Sequence, residues 1–140
     1  MRRFLTLLSL LSLSSIIAQN KDEQYVRKIL SNQTLQWNKG NLDAFMVGYW
    51  NSDSLLFVGK NGPTYGYKNT LANYKKRYPD TIAMGKLTFH ILKLKSLATD
   101  GYFVLGQFIL QRTIGNLSGY FTLIFKKMNQ KWVIIADHSS

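Results

Sequence analysis

The sequence contains no cysteine, a single glutamate and only two histidines among its 140 residues. The absence of cysteine excludes disulfide bonds and a lipoprotein anchored through cysteine. The scarcity of histidine and glutamate disfavours a metal site, because a protein zinc ion needs three or four such ligands. We therefore expect neither a metal ion nor another cofactor.

Acidic residues are also few, with seven Asp and Glu against 18 Lys and Arg and a net charge of +11. Such a charge favours contact with anionic surfaces. The basic residues are scattered, however, and form no recognised nucleic-acid motif. We interpret them as a solvated basic surface and expect no nucleic-acid partner, while an oligomerisation or envelope-interaction module stays open as an alternative function.

Long apolar runs are missing except at the start, "MRRFLTLLSLLSLSSIIA", where Arg2 and Arg3 precede a Ser-interrupted apolar run that ends at Ala18. This pattern is typical of a secretory signal peptide. The run is short for a membrane span, which needs about 20 residues, although an uncleaved anchor is the alternative. We expect removal of residues 1–18, one domain over 19–140 without a transmembrane segment, and a periplasmic or secreted protein.

The remaining sequence predicts an α+β domain. Apolar residues at helical spacing predict helices over 21–37, 42–50 and 67–78, the second with Asn41 as its N-cap. A short strand over 54–59 follows the second helix, and four β-rich segments follow residue 84, with turns at Asp100–Gly101 and Asn129–Gln130. The helices are expected to cover one face of a curved antiparallel sheet.

The chain ends in "WVIIADHSS", which contains the three residue types of a hydrolase triad. Neighbouring side chains on a strand point to opposite faces, so His138 should face away from Asp137 and Ser139. A triad requires the histidine to contact both partners, which this alternation excludes. We expect His138 to share the inward face with Trp132, and Asp137 to lie at the rim of the other face.

Two segments stand out when they are taken together with the element order: "WNKGNLDAFMVGYWNSDSLLFVG" and the ending "WVIIADHSS". In these features the chain resembles the nuclear transport factor 2-like superfamily, most closely its SnoaL-like domains of unknown function in exported bacterial proteins. The last strand is also similar to the association domain of calmodulin-dependent kinase. The resemblance implies a cone in which helices and a bent sheet enclose one pocket, often in dimers.

Ketosteroid isomerase shares this implied fold and uses a Tyr, a protonated Asp and an Asp base. The resemblance places its Tyr at Gln33 or Thr34 and its base at Phe57 or Val58. None of these side chains can perform those roles, so we do not expect the isomerase's route. His138 is the one catalytic candidate, and no catalytic residue is assigned.

The implied pocket should be lined by side chains with apolar bodies and polar tips. Arg112 lies on a predicted apolar strand face, where it would hold an acidic ligand group or pair with Asp137 or Asp53. For both histidines we favour a structural role, and a binding role stays open as the alternative. The candidate ligand-binding residues are Tyr49, Trp50, Tyr67, Tyr74, His90, Arg112 and His138.

The sequence thus predicts a domain that binds a small apolar or acidic ligand, without an assignable catalytic activity. A small lyase or isomerase that uses pocket tyrosines and His138 is the alternative. The last two predicted strands are apolar on both faces. In the final strand, for example, Val133 and Ile135 are expected on one face and Trp132 and Ile134 on the other. Helices can cover one face only, so we expect a homodimer through the other.

Overall fold

The structure of the protein, a computed structural model, describes the backbone of residues 4–140 and the side chains of Ala18 and residues 21–140. The predicted signal peptide therefore begins outside the described residues, and Ala18 is its only described side chain. Within the described part of the chain, no helix has both the length and the apolar character that a membrane crossing requires.

Residues 4–140 form four helices, and local sequence signals explain where two of them begin. The side chain of Asn41 accepts a hydrogen bond from the Ala44 N–H at 2.9 Å, which confirms the predicted N-cap. Asp80 caps a short helix that we did not predict, accepting from the Ala83 N–H at 2.8 Å. The helices are α1 (Phe4–Asn38), α2 (Leu42–Met46), α3 (Tyr67–Arg77) and α4 (Thr81–Met84).

Six strands form one sheet in the spatial order β2-β1-β6-β5-β4-β3. Neighbouring strands are antiparallel except for β1 and β6, which run parallel. Strand β2 was not predicted because it contains Pro63, which lacks an N–H donor and is tolerated here because β2 is an edge strand. The strands are β1 (Leu56–Gly59), β2 (Gly62–Tyr65), β3 (Lys86–Ala98), β4 (Gly101–Gln111), β5 (Leu117–Met128) and β6 (Lys131–Ser139).

Both predicted hairpins are present. The first connects β3 to β4 at Asp100–Gly101. The second connects β5 to β6 through Asn129 and Gln130, whose φ angles are 48° and 64°. Two successive positive φ values are typical of the tight turn that matches the right-handed twist of antiparallel strands.

The core lies between the helices and one face of the sheet. The indole Nε1 of Trp37 donates to the Met84 carbonyl at 3.1 Å, and this hydrogen bond ties α1 to α4. Asn38 bonds both backbone groups of Leu87, at 2.7 and 3.1 Å, and so fixes the start of β3. The predicted α+β architecture, with helices on one side of a curved sheet, is confirmed.

Candidate functional site

Strand β6 contains a β-bulge that decides which of its side chains point inward. Ile124 of β5 pairs with Ala136, but the next residue, Phe125, pairs with Ile134. Ile135 is therefore an extra residue without a partner on β5. An extra residue interrupts the alternation of side chains and re-aims those that follow it.

The bulge turns Asp137 inward and His138 outward. Asp137 pairs with Leu123, which is buried on the inward face, and the Asp137 side chain is only 4% exposed. His138 is exposed. The prediction that His138 faces the interior and that Asp137 lies at a rim is therefore wrong, because it assumed unbroken alternation along the strand.

Two neutral hydroxyl groups hydrogen-bond the buried carboxyl group of Asp137. The Tyr49 hydroxyl donates to Oδ2 at 2.6 Å, and the Ser139 hydroxyl donates to Oδ1 at 2.6 Å. Asp137 and Ser139 do share one face, as predicted, but His138 lies on the other face and no triad forms. No Lys, Arg or His nitrogen lies within ion-pair distance of Asp137 among the described side chains.

Burial governs the protonation of this group. Removal from water raises the pKa of Asp137 to about 6, although the hydrogen bonds from Ser139 and Tyr49 and the charge of His138 act in the opposite direction. Burial also raises the pKa of Tyr49 and of Tyr74 well above their ordinary range, and the charge of Asp137 adds to both shifts. Both phenols are therefore neutral at physiological pH, whereas Asp137 titrates close to it.

Aromatic rings surround Tyr49 on the helical side of the core. Phe45 lies 6.0 Å from Tyr49, and Tyr74 lies 5.4 Å from Phe45 and 5.6 Å from Phe57, measured between ring centroids. Tyr74 and Phe57 are half-buried, whereas Phe45 and Tyr49 are buried. We call this set the aromatic cluster; its members are Trp37, Phe45, Tyr49, Phe57, Tyr74 and Tyr78.

Backbone contacts after α2 hold Tyr49 against β6. The Ile134 N–H donates to the Gly48 carbonyl and the Trp50 N–H donates to the Ile134 carbonyl, both at 2.9 Å. A Cβ atom at Gly48 would lie 2.9 Å from the Ile29 side chain, so glycine permits this segment to pack directly on α1. The sequence thus places the Tyr49 hydroxyl next to the inward side chains that follow the bulge.

The remaining predicted site residues are dispersed. Trp50 and Tyr67 are half-buried, and Tyr67 packs against the core. His90 is exposed on β3 and pairs with Gln107, so it does not join Asp137. Of the seven predicted residues, the structure brings only Tyr49 and Tyr74 together, in the aromatic cluster. Asp137 and Ser139, which we had not assigned to the site, lie next to Tyr49.

Arg112 has a structural environment in the loop between β4 and β5. Its Nε donates to the Gly115 carbonyl at 2.7 Å and its Nη1 donates to the Ala83 carbonyl at 3.2 Å. It makes no ion pair with Asp137 or Asp53. These bonds fix the loop against the end of α4, so the predicted pairing with either carboxylate is wrong.

Two of the surface clefts among the described residues have volumes of about 610 and 660 Å³. Neither is lined by Asp137, Tyr49 or Tyr74. No group of three or more His, Asp or Glu side chains within the described part of the chain is arranged to hold a metal ion.

An NTF2-like protein of unknown function from Shewanella oneidensis MR-1 is 38% identical to this chain. The match covers 85% of this chain and 98% of that protein, with a TM-score of 0.82. The chain belongs to the NTF2-like family. The sequence resemblance to this superfamily is therefore confirmed, and the family relationship supplies a fold but no activity.

More distant NTF2-like structures share the fold alone. A superfamily protein from Salmonella enterica serovar Typhimurium is 14% identical, with 87% of this chain and 92% of that one covered and a TM-score of 0.68. A Xanthomonas campestris structure, provisionally named a calcium/calmodulin-dependent protein kinase II association domain, is 15% identical over 82% of this chain and 84% of that one, with a TM-score of 0.63. No family model and no curated protein matches the chain.

Proposed function

We propose that this NTF2-like domain binds a small, largely apolar molecule through its aromatic cluster, with Asp137 as the polar contact. The observation that carries the proposal is a buried carboxyl group without a cationic partner, beside an aromatic cluster with two half-buried rings. A buried carboxyl group is costly unless its charge and hydrogen bonds are compensated. A few polar groups within an apolar site are the usual arrangement for small-molecule recognition.

The chemistry of Asp137 selects a ligand with a hydrogen-bond donor. Each carboxylate oxygen accepts one hydrogen bond from the protein and retains further acceptor capacity. A hydroxyl or amino group of a ligand would use this capacity, whereas a ligand carboxylate would be repelled. The acidic ligand that we predicted from Arg112 is therefore not proposed for this site.

Access to Asp137 would pass between Phe57 and Tyr74. These rings are half-buried, and their centroids lie 5.6 Å apart. Exposed and half-exposed side chains change rotamers within nanoseconds, so a shift of two rings is compatible with rapid binding. The proposal thus requires that a ligand displace part of the aromatic cluster.

A matched pair of probes tests the proposal. We expect 4-ethylphenol to raise the melting temperature by about 10 °C at 100 times its Kd, since such occupancy stabilises a protein by about 2.7 kcal/mol. Ethylbenzene, which lacks the hydroxyl donor, should give a smaller shift. Asp137→Leu should abolish the difference between the probes, and His138→Ala, an exposed neighbour, should preserve it. Failure of both probes to stabilise the wild-type protein would contradict the proposal.

Proton transfer is a second candidate function, favoured by the pKa of about 6 at Asp137. A carboxyl group that titrates near physiological pH is suited to general acid–base catalysis. Asp137 thereby replaces His138 as the catalytic candidate for a lyase or isomerase, with the Tyr49 hydroxyl beside it as a donor.

This second candidate is tested with acetophenone in D₂O, where the protein should accelerate loss of the methyl proton signal. Carboxylate Asp137 would remove a methyl proton, the resulting carboxyl group would exchange that proton for a deuteron from D₂O, and the deuteron would be returned to the carbon. Asp137→Asn should stop the exchange, whereas His138→Ala should not. Equal exchange in both variants would exclude Asp137 as the base.

We further propose a homodimer through the sheet face that no helix covers. Ile109, Ile124 and Val133 are half-buried on this face, and Tyr120 is 55% exposed. Soluble monomers rarely leave a large apolar patch in water. Light scattering at micromolar concentration should report twice the monomer mass. Ile124→Lys should reduce the measured mass, whereas the control Asn73→Lys, on helix α3, should leave it unchanged. A wild-type monomer would contradict this proposal.

Export is proposed from the first 18 residues. The support is the basic pair Arg2 and Arg3, the apolar run after it and the small residue Ala18 at the expected cleavage position. In a bacterial host, the periplasmic fraction should contain a protein whose mass corresponds to residues 19–140. A full-length protein retained in the cytoplasm would contradict the proposal.

A further inference from the structure

A second candidate binding site lies outside the core, between α1 and the β5–β6 hairpin. We call it the hairpin cleft; its volume is about 660 Å³. It is separate from the aromatic cluster and does not include Asp137. Its lining residues include Asp22, Tyr25, Lys28, Val47, Lys131 and Trp132.

The hairpin cleft gathers apolar side chains that are unusually accessible. Val47 is 70% exposed and Tyr25 is 58% exposed, and both line the cleft. Ile29 continues the apolar lining and is half-buried. Single exposed apolar residues are normal on a protein surface, whereas here several line one cleft and offer a ligand an apolar surface to pack on.

The charge of the hairpin cleft is predominantly positive. Asp22 is its one acidic residue, and it is already paired with the Lys127 Nζ at 3.1 Å and the Trp132 Nε1 at 2.9 Å. Lys28 and Lys131 also line the cleft, are exposed, and form no ion pair with the residues that the structure describes. Two lysine charges are therefore available to an incoming anion.

Asp22 makes the floor of the cleft rigid. It connects α1 to β5 through Lys127 and to β6 through Trp132, and the Lys127 Nζ lies 5.8 Å from the Trp132 ring centroid. The side chains of Asp22 and Lys127 are 16% and 31% exposed. A floor fixed by an ion pair and a cation–π contact loses little entropy when a ligand packs on it.

We propose that the hairpin cleft binds a small apolar molecule that carries one acidic group. The apolar body would pack on Tyr25 and Val47, and the acidic head would lie between Lys28 and Lys131. A carboxylate, sulfonate or phosphate fits this chemistry, since each accepts charge-assisted hydrogen bonds from ammonium groups. The binding site is independent of the proposed donor-bearing ligand at Asp137.

Two fluorescent probes with the same ring system separate the charge requirement from the apolar requirement. 8-Anilino-1-naphthalenesulfonate carries a sulfonate, and N-phenyl-1-naphthylamine lacks it. We expect the charged probe to bind the purified wild-type protein more tightly. Raising the NaCl concentration from 50 to 500 mM should weaken the charged probe and leave the neutral probe unchanged, because salt screens exposed charges.

Charge-removing variants locate the binding. Lys28→Gln with Lys131→Gln should weaken the charged probe about tenfold, as expected for the loss of two partly exposed ion pairs. Lys60→Gln with Lys76→Gln removes the same charge elsewhere and should have no effect. Val47→Ser should weaken both probes.

Two results would overturn the proposal. One is equal weakening by the two double variants, which would indicate a response to overall charge. The other is charged-probe binding that resists both Lys28→Gln with Lys131→Gln and Val47→Ser, which would place the probe at another site. Neither result bears on binding at Asp137, whose test uses different probes and a different variant.

Discussion

Asp22 and Asp137 are two aspartates that the fold treats in opposite ways. Each accepts a hydrogen bond from an aromatic residue, Asp22 from the Trp132 indole at 2.9 Å and Asp137 from the Tyr49 hydroxyl at 2.6 Å. Asp22 lies at a surface cleft and has Lys127 as its ionic partner at 3.1 Å. Asp137 lies in the core, where Ser139 is its second partner and no ion pair forms with any described side chain.

The difference shows which of the two carboxyl groups lacks an ionic partner. Lys127 neutralises Asp22, so Asp22 serves as a fixed structural charge that orders the hairpin cleft. Asp137 has neutral partners only, and burial raises its pKa to about 6. The protein thus carries one carboxylate whose charge is compensated by a lysine and one whose protonation depends on burial.

The largest expected effect comes from moving the carboxyl group out of the core. Exchanging residues 137 and 138, as Asp137→His with His138→Asp, puts the carboxyl group on the outward face, away from Tyr49, and leaves Asp22 unaffected. Because the buried Tyr49 hydroxyl then loses its carboxylate acceptor and an imidazole takes the place of the carboxyl group in the core, we expect a loss of about 3 kcal/mol or more in the free energy of unfolding. Urea denaturation followed by circular dichroism measures it.

His138→Asp alone is the matched control for this exchange, because it adds the same outward carboxyl group at an exposed position and keeps Asp137 in the core. It should change the free energy of unfolding by less than about 1 kcal/mol. An exchanged variant as stable as His138→Asp would show that the inward position of Asp137 contributes nothing to folding.

The second prediction concerns pH. The folded-state pKa of Asp137 is raised from 3.8 to about 6, so the folded protein holds this proton more tightly than the unfolded chain. The resulting stabilisation is fully present below about pH 4 and is lost as pH rises through about 6. It corresponds to about 3 kcal/mol at 1.36 kcal/mol per pKa unit.

Asp137→Asn isolates this contribution, because the neighbouring ionisable side chains Tyr49, Tyr74 and His138 stay in place. Relative to the variant, wild-type stability should decline between pH 4 and pH 7 in urea titrations. A difference between the two proteins that is constant over this range would refute the assignment.

The third prediction tests the hydrogen bond at 2.6 Å from Tyr49 to Asp137. Tyr49→Phe leaves one carboxylate oxygen without its protein donor, which should cost about 1–3 kcal/mol. The cost should be greater at pH 8 than at pH 5, since hydrogen bonds to the ionised carboxylate are stronger. Unfolding of Tyr49→Phe, Asp137→Asn and the double variant gives the coupling energy.

Tyr65→Phe serves as the control for Tyr49→Phe, because Tyr65 is 63% exposed. It should change the free energy of unfolding by less than about 0.5 kcal/mol. Additive effects of the Tyr49 and Asp137 substitutions would show that the two side chains do not interact energetically.

Local sequence signals were sufficient for most of the elements but not for the orientation at Asp137. Asn41 and the Asp100–Gly101 pair act on their immediate neighbours, so their roles could be predicted without knowledge of the fold. The bulge at Ile135 has no such signal, because "VIIAD" contains neither glycine nor proline. Its position depends on pairing with β5 on one side and β1 on the other, which single-strand periodicity does not contain.

The candidate site could likewise be predicted only in part from the sequence. Tyr49 and Tyr74 were predicted because aromatic residues with hydroxyl groups in the helical region were expected to face the sheet. Asp137 was excluded from the site by one false assumption about alternation. An acidic residue within an apolar strand was the available signal, since such a residue is costly unless it is exposed or specifically bonded.

The smallest expected effect concerns Asp22. Asp22→Asn removes the charge that pairs with Lys127 but retains an oxygen that can accept from the Trp132 indole. Partly exposed ion pairs contribute about 0–1 kcal/mol, so we expect a loss within that range in urea denaturation. The loss should shrink at 0.5 M NaCl, because salt screens the ion pair.

Asp53→Asn is the control, because Asp53 is exposed and forms no ion pair among the described residues, and it should leave the free energy of unfolding unchanged. A loss above about 2 kcal/mol that ignores salt would place Asp22 in the same class as Asp137 and remove the contrast between the two carboxylates.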